Sequence, residues 1–423
     1  MPDTQTTARS RIFHELDFDK PGKQIGYLRV PQSRDGGAWS TIEVPIAIIR
    51  GSKGPAVFFS GGVHGDEYEG QIAGARLARR LDPQSLRGTV ILMPAVDLPA
   101  ALAGRRMCPI DGRDFNRCMP GDARGSFCQM LAHFIDTEIM PRVEVSVDVH
   151  AAGNSMEAAL CTIMHWVDDP KVIERTRALA ENFAAPYNVV FWGVDEGGTV
   201  ASAAERHGAL SISSELGGYG RVSVEGLRVA ERGLDNVLKS MGMIDGKPDT
   251  SQRDGGRTRQ MQVRDQRSYM FAPSDGLFEP SFFPGQEVRA GELAGTLHFI
   301  EEWAREPIPI EFPIDGYVWM APGSGRVRKG DVVAVIMQEY AGARCPVARI
   351  FGSTFDQSSN PCVLALRFLI IPPAAGRAVR SAGAWCSSGW HRAGRPGGSP
   401  RRQCAWCAGR SGRRGHGYER LRR

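Results

Sequence analysis

Residues 55–81 constrain most strongly what this chain folds into. The apolar run 55–60 does not alternate with polar residues, which is typical of a strand buried on both faces. A glycine-rich loop follows at 61–70, where the backbone bends freely. Residues 71–81 then have the apolar spacing of a helix that ends before Pro83. This succession of strand, tight loop and helix predicts an α/β domain.

The same alternation of strands and helices continues to residue 242. It indicates a mostly parallel or mixed sheet flanked by helices. Parallel strands need crossover connections, and the helical segments supply them. We expect strands at 25–30, 41–50, 56–60, 89–96, 143–149 and 209–214, and helices at 71–81, 126–139, 170–183 and 222–241.

Polar side chains follow three of the predicted strands directly. His64 and Glu67 follow the strand at 56–60, His150 ends the next and Glu215 ends the last. Ligand sites in such sheets lie beyond the carboxyl ends of the strands. We therefore expect these side chains to meet at one edge of one sheet.

Histidine and carboxylate side chains at strand ends suggest a catalytic zinc, which takes three such protein ligands in hydrolases. His64, Glu67 and His150 are the predicted ligands of one zinc ion per chain. Glu215 is the predicted general base. Asp148 lies on the same strand face as His150 and could orient a ligand. The alternatives are a loop histidine, a core histidine and a carboxylate that faces a helix dipole.

A loop of roughly thirty residues follows the strand at 89–96, and loops that long inside a domain are usually functional. It carries Arg106, Asn116 and Arg117. An arginine fork suits a substrate carboxylate, and a second arginine near a metal can stabilise an oxyanion. We predict that Arg106 polarises the scissile carbonyl, while Asn116 and Arg117 bind the carboxylate. The alternative is a set of ordinary surface side chains.

In this order, these residues resemble the succinylglutamate desuccinylase/aspartoacylase family, which is related to zinc carboxypeptidases. The resemblance covers roughly residues 20–340 and is carried by the motif residues above together with 26–35, 61–70, 109–112 and 215–218. It implies a carboxypeptidase-like mixed sheet flanked by helices and a zinc-dependent deacylase of N-acyl amino acids. The expected substrate is Nα-acetyl-L-2,4-diaminobutyrate, from ectoine breakdown.

The chain departs from the family pattern at a few positions. The family's Asn-Leu-Asn-Arg begins here with Asp114, and the Val-Phe that precedes Pro-Gly is Cys118 and Met119. An Asn common after the preceding strand is Asp97, and a Ser-Gly pair after the histidine is Ala-Ala at 151–152. None of these changes removes a predicted zinc ligand.

Rival functions use the same residues. The first is the same chemistry on another acyl group, or on a C-terminal peptide bond as in a carboxypeptidase. The second is a non-catalytic binding protein whose metal site is inactive. The first would keep the zinc ligands and the base but change the substrate pocket.

The chain after residue 242 changes in composition. Residues 243–268 are polar and predict a linker, whereas 269–340 contain two copies of one pattern. Each copy has an Asp-Gly, a Pro-Gly turn and a Val-x-x-Gly turn. We predict a small β-barrel of the lipoyl or barrel-sandwich type. Its hairpin tip, 320–323, has no lysine, so we expect a structural or site-shaping role rather than a carrier role.

Residues 341–423 have a different composition again. They hold fifteen Arg, no Lys, one Asp and one Glu, a formal charge of +13, which leaves −8 for residues 1–340. We predict a low-complexity tail that is disordered or an out-of-frame translation product. Cys404-x-x-Cys407 has no second pair, so it is a weak zinc-finger signal. We expect no nucleic-acid partner.

The remaining sequence features bear on where in the cell the protein is located. No apolar run is long enough for a membrane span, and residues 1–20 have no apolar core of a secretion signal. The nine cysteines are scattered and odd in number, which is typical of reduced thiols. These features predict a cytoplasmic enzyme with a small-molecule substrate and no membrane partner. They leave a homo-oligomer open.

Overall fold

The computed structural model describes residues 9–191, 197–251, 257–264, 266–340 and 342. The described residues all belong to one compact unit, within residues 1–371. The predicted tail, 341–423, lies outside the described residues except for residue 342. No helix in the described ranges is long and apolar enough to cross a membrane. The predicted domain boundaries and the cytoplasmic location stay predictions.

The helices and strands have the following bounds. The α-helices are α1 (Glu69–Arg80), α2 (Leu98–Ala103), α3 (Phe127–Phe134), α4 (Pro170–Phe183), α5 (Val200–Arg206) and α6 (Val224–Ser240). The first strands are β1 (Gly22–Arg34), β2 (Gly37–Arg50), β3 (Ser52–Gly61), β4 (Arg87–Met93), β5 (Val145–His150), β6 (Met156–Ala158), β7 (Cys161–His165), β8 (Tyr187–Phe191) and β9 (Leu210–Glu215). The later strands are β10 (Arg259–Gln262), β11 (Tyr269–Phe271), β12 (Gly276–Pro280), β13 (Glu287–Val288), β14 (Leu293–His298), β15 (Ile308–Glu311), β16 (Gly316–Pro322), β17 (Arg326–Val327) and β18 (Val332–Glu339).

One large mixed sheet organises the fold, with strand order β1-β2-β4-β3-β5-β9-β7-β8-β10-β18-β16-β13. The strands β4, β3, β5 and β9 are parallel to one another, whereas β1 with β2, β2 with β4, and β9 with β7 pair antiparallel. This confirms the predicted mixed α/β sheet. The parallel strands lie in its interior, where helices cover both faces.

Two hydrophobic clusters explain why β3 lacks polar alternation. Val57 and Phe59 pack on one face, in the cluster that holds α1, α4 and α6. Phe58 points to the other face, in the cluster that holds α3 and α5. All three side chains are at most 2% exposed. A strand that is covered on both sides favours an uninterrupted apolar run, as the sequence predicted.

The central three strands bring the predicted site residues together. In the parallel ladder, Gly61 lies beside Val149, and His150 lies beside Glu215. The loop with His64 and Glu67 starts immediately after β3. The four polar side chains, which follow three strands, therefore lie at the same edge of the sheet, as expected.

Some local predictions were wrong or incomplete. The helix expected at 126–139 is α-helical only to Phe134 and continues as a π-helical turn over Ile135–Ile139. The strands β7 and β8 and helix α5 were missed. The segment 243–268, expected to be a linker, contains β10, which pairs with β8 and β18 inside the main sheet.

The two copies of the C-terminal pattern have matching structures. The short strand β13 of the first copy pairs with β16 of the second, and β17 of the second pairs with β12 of the first. Asp315 accepts a hydrogen bond from the backbone N–H of Ala290, and Asp275 accepts one from Lys329, both at 2.8 Å. The strands form antiparallel ladders around a shared hydrophobic cluster. Closure into a barrel stays a prediction.

Candidate metal centre

The loop between β3 and α1 is packed so tightly that only glycine fits at certain positions. A Cβ atom on Gly65 would lie 1.9 Å from the backbone of Ala100, and one on Gly70 would lie 2.5 Å from the carbonyl oxygen of Val149. Both distances are far inside van der Waals contact. The glycines therefore let the loop lie directly against α2 and β5, which fixes the positions of His64 and Glu67.

His64, Glu67 and His150 converge at the end of the sheet. One ligand atom from each lies within 4.8 Å of the others, and all three residues are at most 5% exposed. Nδ1 of His64 lies 2.7 Å from Oε1 of Glu67, and Nδ1 of His150 lies 2.6 Å from Oε2. The two imidazoles thus present the same ring nitrogen to one carboxylate.

Each imidazole is supported on its other side by a second carboxylate. Nε2 of His64 lies 3.0 Å from Oδ1 of Asp114, and Nε2 of His150 lies 2.7 Å from Oδ2 of Asp148. The hydroxyl of Ser60 donates to the remaining oxygen of Asp148 at 2.6 Å. Metal-ligating histidines in proteins characteristically have such a carboxylate partner on the second ring nitrogen, which fixes their orientation.

This donor set fits zinc. It offers two imidazole nitrogens and one carboxylate, the ligand types that zinc prefers, and both Nδ1 atoms and both Glu67 oxygens face a common point. The carboxylates on the far side of each ring complete the usual surroundings of a bound metal. His64, Glu67 and His150 are therefore the residues that would hold the ion.

The charges of these groups compensate one another. Burial by itself would raise the pKa of Glu67, but the charges of His64 and His150 outweigh burial and hold that pKa below its usual range. For His150, burial by itself would lower the pKa, but Asp148 and Glu67 together outweigh burial and raise that pKa above its usual value. The carboxylates that favour protonated imidazoles would equally favour a metal cation bound between His64 and His150.

Glu215 lies beside this group and differs from it. It is the last residue of β9, and its Oε2 is shielded from solvent and has no hydrogen-bond partner among the described residues. Burial, together with the charge of Glu67, raises its pKa to about 8. A carboxylate with a pKa near neutrality is suited to accept and release a proton. Since Oε2 accepts no hydrogen bond from the described residues, Glu215 is available to a ligand.

Arg106 reaches the centre from the long loop. Its Nη1 lies 3.3 Å from Nδ1 of His64 and 3.8 Å from Oε1 of Glu67, while Nη2 donates to Oδ2 of Asp114 at 2.9 Å. The guanidinium is thus fixed at the open side of the predicted ligand set. An arginine held there can stabilise negative charge that develops on a substrate oxygen.

The other two loop residues occupy different positions. The amide nitrogen of Asn116 lies 3.4 Å from Nε2 of His150, and its amide oxygen accepts a hydrogen bond from the backbone N–H of Val200 at 2.9 Å. Arg117 donates to the backbone carbonyl of Asn116 at 2.7 Å. The structure therefore brings Asn116 to the centre, while the guanidinium of Arg117 binds the backbone behind it.

Two further carboxylates of the glycine-rich loop bind neighbouring loops. Asp66 accepts a hydrogen bond from the backbone N–H of Asn154 at 2.8 Å. Glu69, the first residue of α1, accepts one from the N–H of Ser223 at 2.6 Å, just before α6. Both side chains connect the loop to other elements.

Asp114 was missed as a site residue by the sequence prediction. It contacts both His64 and Arg106, and although burial would raise its pKa, its hydrogen bond with His64 and the charge of Arg106 hold that pKa low. The available signal was the departure at the first position of Asn-Leu-Asn-Arg, because a carboxylate there adds a charge next to a conspicuous arginine. Ser60 was also missed, since a serine inside an apolar strand has no distinguishing pattern.

The fold and this arrangement define a mixed α/β protein with a candidate metal centre at the carboxyl ends of parallel strands. A family model, the succinylglutamate desuccinylase/aspartoacylase catalytic domain, matches residues 53–241. The N-alpha-acetyl-L-2,4-diaminobutyric acid deacetylase of Halomonas elongata is 31% identical over 332 residues, which are 78% of this chain and 95% of that protein. The chain therefore belongs to the succinylglutamate desuccinylase/aspartoacylase family, as the sequence predicted, and to a class of enzymes that act on amide bonds.

Solved structures agree with this assignment. A succinylglutamate desuccinylase/aspartoacylase from Rhodobacter sphaeroides is 50% identical, with a TM-score of 0.75, and the match covers 78% of this chain and 100% of that chain. The product-bound ectoine utilization protein EutE (DoeB) from Ruegeria pomeroyi is 29% identical, also with a TM-score of 0.75, over 78% and 99%. These relatives share both the fold and the family.

Proposed function

We propose that this chain is a zinc-dependent deacylase that hydrolyses the amide bond of an N-acyl amino acid. The observation that carries the proposal is the convergence of His64, Glu67 and His150 next to Glu215, whose Oε2 has no partner among the described residues. Three zinc-type ligands and a neighbouring carboxylate base are the minimal set for metal-assisted amide hydrolysis.

Each predicted residue has a role in this reaction. When bound, zinc would act as a Lewis acid that polarises the scissile carbonyl and lowers the pKa of water. Glu215 accepts a proton from the attacking water and delivers it to the departing nitrogen. Water oxygen forms a bond to the carbonyl carbon, the C–N bond breaks, and a carboxylate and an amine leave. Arg106 stabilises the negative charge on the carbonyl oxygen.

Asn116 and Arg117 belong to substrate binding in this proposal. The amide nitrogen of Asn116, 3.4 Å from His150, lies where a substrate carboxylate next to the scissile bond would need a donor. Arg117 binds the backbone of Asn116 and would turn towards the substrate carboxylate when it enters. This pair then selects amino-acid substrates over simple amides.

For the substrate, we propose Nα-acetyl-L-2,4-diaminobutyrate, from ectoine breakdown. The Halomonas deacetylase and the Ruegeria ectoine utilization protein support this choice. A second candidate is another N-acyl amino acid, supported by the Rhodobacter relative, which is described as a succinylglutamate desuccinylase/aspartoacylase. A panel of N-acetyl and N-succinyl amino acids, with rates measured for each, distinguishes the two.

We also propose that the C-terminal region, as a barrel-sandwich-like unit, shapes the substrate site. Strand β16 pairs with β6, and β6 in turn forms a bridge from Glu157 to Gly218, three residues after the proposed base. The indole N–H of Trp319 donates to Cys161, which lies opposite Glu215 in the β7–β9 ladder. These contacts support a role in positioning Glu215.

The decisive test is the substitution Glu215→Gln. We expect zinc content to be retained while the hydrolysis rate falls on the order of 10²- to 10⁴-fold, because the amide cannot accept the proton. Glu225→Gln, an exposed position in α6 paired with Arg228, serves as the matched control and should leave the rate unchanged. Full activity of the Glu215 variant towards the panel would contradict the mechanism.

A further inference from the structure

Three cysteines lie together beneath the long loop. Cys108 and Cys118 belong to the loop, Cys128 is in the first turn of α3, and all three are at most 9% exposed. Asp97, which caps the N-terminus of α2, is completely buried beside them. The sequence prediction noted Cys118 and Asp97 only as departures from the family pattern and assigned them no role.

The side chains of this cysteine cluster are close enough to share one ion. One ligand atom each from Asp97, Cys108 and Cys128 lies within 4.8 Å of the others. Sγ of Cys128 is 3.8 Å from Oδ2 of Asp97, and the neighbouring thiol of Cys118 donates to the backbone carbonyl of Asp114 at 3.3 Å. In a tetrahedral zinc site with Zn–S bonds of about 2.3 Å, neighbouring sulfurs lie about 3.8 Å apart.

The charge balance of the cluster is incomplete. Asp97 accepts hydrogen bonds only from uncharged groups, the N–H of Ala100 and neighbouring thiols, and no cationic side chain of the described residues forms an ion pair with it. A second carboxylate, Asp111, lies 3.2 Å from Sγ of Cys128. Buried carboxylates in proteins are normally paired with a cation or a metal.

The ionisation behaviour agrees with that imbalance. Burial raises the pKa of Asp97 to about 6. Hydrogen bonds with Cys108 and Cys118, followed by burial and the charge of Asp97, raise the pKa of the Cys128 thiol. A divalent cation at the centre of the cluster would oppose both effects.

We propose that Asp97, Cys108 and Cys128 bind a thiophilic divalent cation such as zinc. Thiolate sulfur selects soft or borderline metals, and two sulfurs with one carboxylate oxygen are ligand types that zinc takes. Each thiol that binds the metal releases its proton to the solvent, with no change in oxidation state. The ion would be structural, because its three ligands are buried beneath the long loop.

The proposed ion has a definite mechanical role. Cys108 is two residues from Arg106, and Cys118 directly follows Arg117. Binding Cys108 to the same ion as Asp97 and Cys128 would hold this part of the loop against α2 and α3. The second site thus positions Arg106 without touching the substrate.

The test uses the full chain with five cysteines replaced by serine, those at positions 345, 362, 386, 404 and 407, which lie outside the described residues. The quantity measured is the metal content. This parent is loaded with zinc, dialysed, and analysed by mass spectrometry and X-ray absorption. We expect two zinc ions per chain and a zinc–sulfur shell at about 2.3 Å. Absence of sulfur from the zinc shell would overturn the proposal, and this measurement needs no substitution within the cluster.

Two variants then separate the sites. H64A/H150A should retain one zinc with an all-sulfur-and-oxygen shell, whereas C108S/C128S should retain one zinc with no sulfur. C161S is the matched control, because Cys161 is equally buried but lies outside the cluster, and it should still hold two zinc ions. Two zinc ions in C108S/C128S would contradict the assignment.

Discussion

The His64–Glu67–His150 centre and the cysteine cluster are both buried, and both contain a carboxylate, yet the pKa values of the two carboxylates are shifted in opposite directions. The pKa of Glu67 is held low because two imidazoles flank it, whereas the pKa of Asp97 rises to about 6 among neutral thiols. Burial is the largest influence in both cases. The nearest partners decide the direction, so burial alone does not identify a metal ligand.

The two regions also differ in what surrounds their ligands. Each histidine of the first centre has a second carboxylate behind it, and Arg106 faces the open side. The cysteine cluster is buried beneath the long loop, beside α2 and α3. The first arrangement is typical of a catalytic metal and the second of a structural one. Three substitutions test this difference.

Loss of a ligand from the first centre should have the largest effect. We expect His64→Ala to lose one zinc ion per chain and to lower the deacylation rate on the order of 10³-fold or more, because the carbonyl is no longer polarised. His298→Ala, an exposed histidine paired with Glu279 in the C-terminal region, is the control. Metal analysis and initial rates check both variants, and an active, zinc-replete H64A protein would refute the ligand assignment.

Asp97→Asn should stabilise the metal-free protein at alkaline pH. Because the pKa of Asp97 in the fold, about 6, lies above its ordinary 3.8, the neutral carboxyl stabilises the fold fully below about pH 4. That contribution disappears as pH rises through 6. The difference of about two pH units corresponds to at most about 3 kcal/mol. Urea unfolding of chelator-treated protein at pH 4 and pH 8 should show the variant gaining stability only at pH 8.

The control for that substitution is Asp111→Asn. The pKa of Asp111 is lowered, since hydrogen bonds from Ser126 and the N–H of Cys128 outweigh its burial. Its charged form therefore stabilises the fold above its ordinary pKa, and this stabilisation is lost as pH falls. D111N should accordingly lose stability at pH 8. If D97N and D111N changed the stability at pH 8 in the same direction and by the same amount, the opposite pKa shifts of Asp97 and Asp111 would be contradicted.

Asp148→Asn should have the smallest of the three effects. The carboxylate orients His150 from behind, 2.7 Å from Nε2, and loss of such a partner typically weakens metal affinity about 10- to 100-fold. Ser146→Ala is the matched control, because Ser146 is on the same strand, is fully buried and has an oxygen without a hydrogen-bond partner among the described residues. Zinc titration against a competing chelator measures both affinities, and an unchanged affinity in D148N would show that His150 is oriented by other contacts.

Much of the main sheet could be predicted from sequence, because β3 and β4 contain continuous apolar runs, while β5 and β9 alternate apolar and polar residues as strands do. The missed strands β7 and β8 are short and mixed in polarity, with Thr162 bonded to Asn188 between them, so periodicity gave no signal. The same reason hid β10, whose residues are Arg, Gln, Met and Gln. Its strand conformation depends on the neighbours β8 and β18.

The convergence of His64, Glu67, His150 and Glu215 was predictable because each ends or follows a predicted strand. Partners that depend on tertiary contacts were not. Asp114 joins His64 across a long sequence separation, and the cysteine cluster gathers residues from two loops and a helix start. Such contacts leave no local spacing for a sequence argument to use.

The strand β10 has a consequence for how this enzyme can be divided. It pairs with β8 on one side and β18 on the other, and the guanidinium of Arg259 lies 4.0 Å from the ring centre of Tyr317. A fragment that ended near residue 242 would leave the backbone of β8 without its neighbour and ready to associate with other chains. The catalytic region is thus not a detachable module, and natural or laboratory recombination at that point would separate halves that share one continuous sheet.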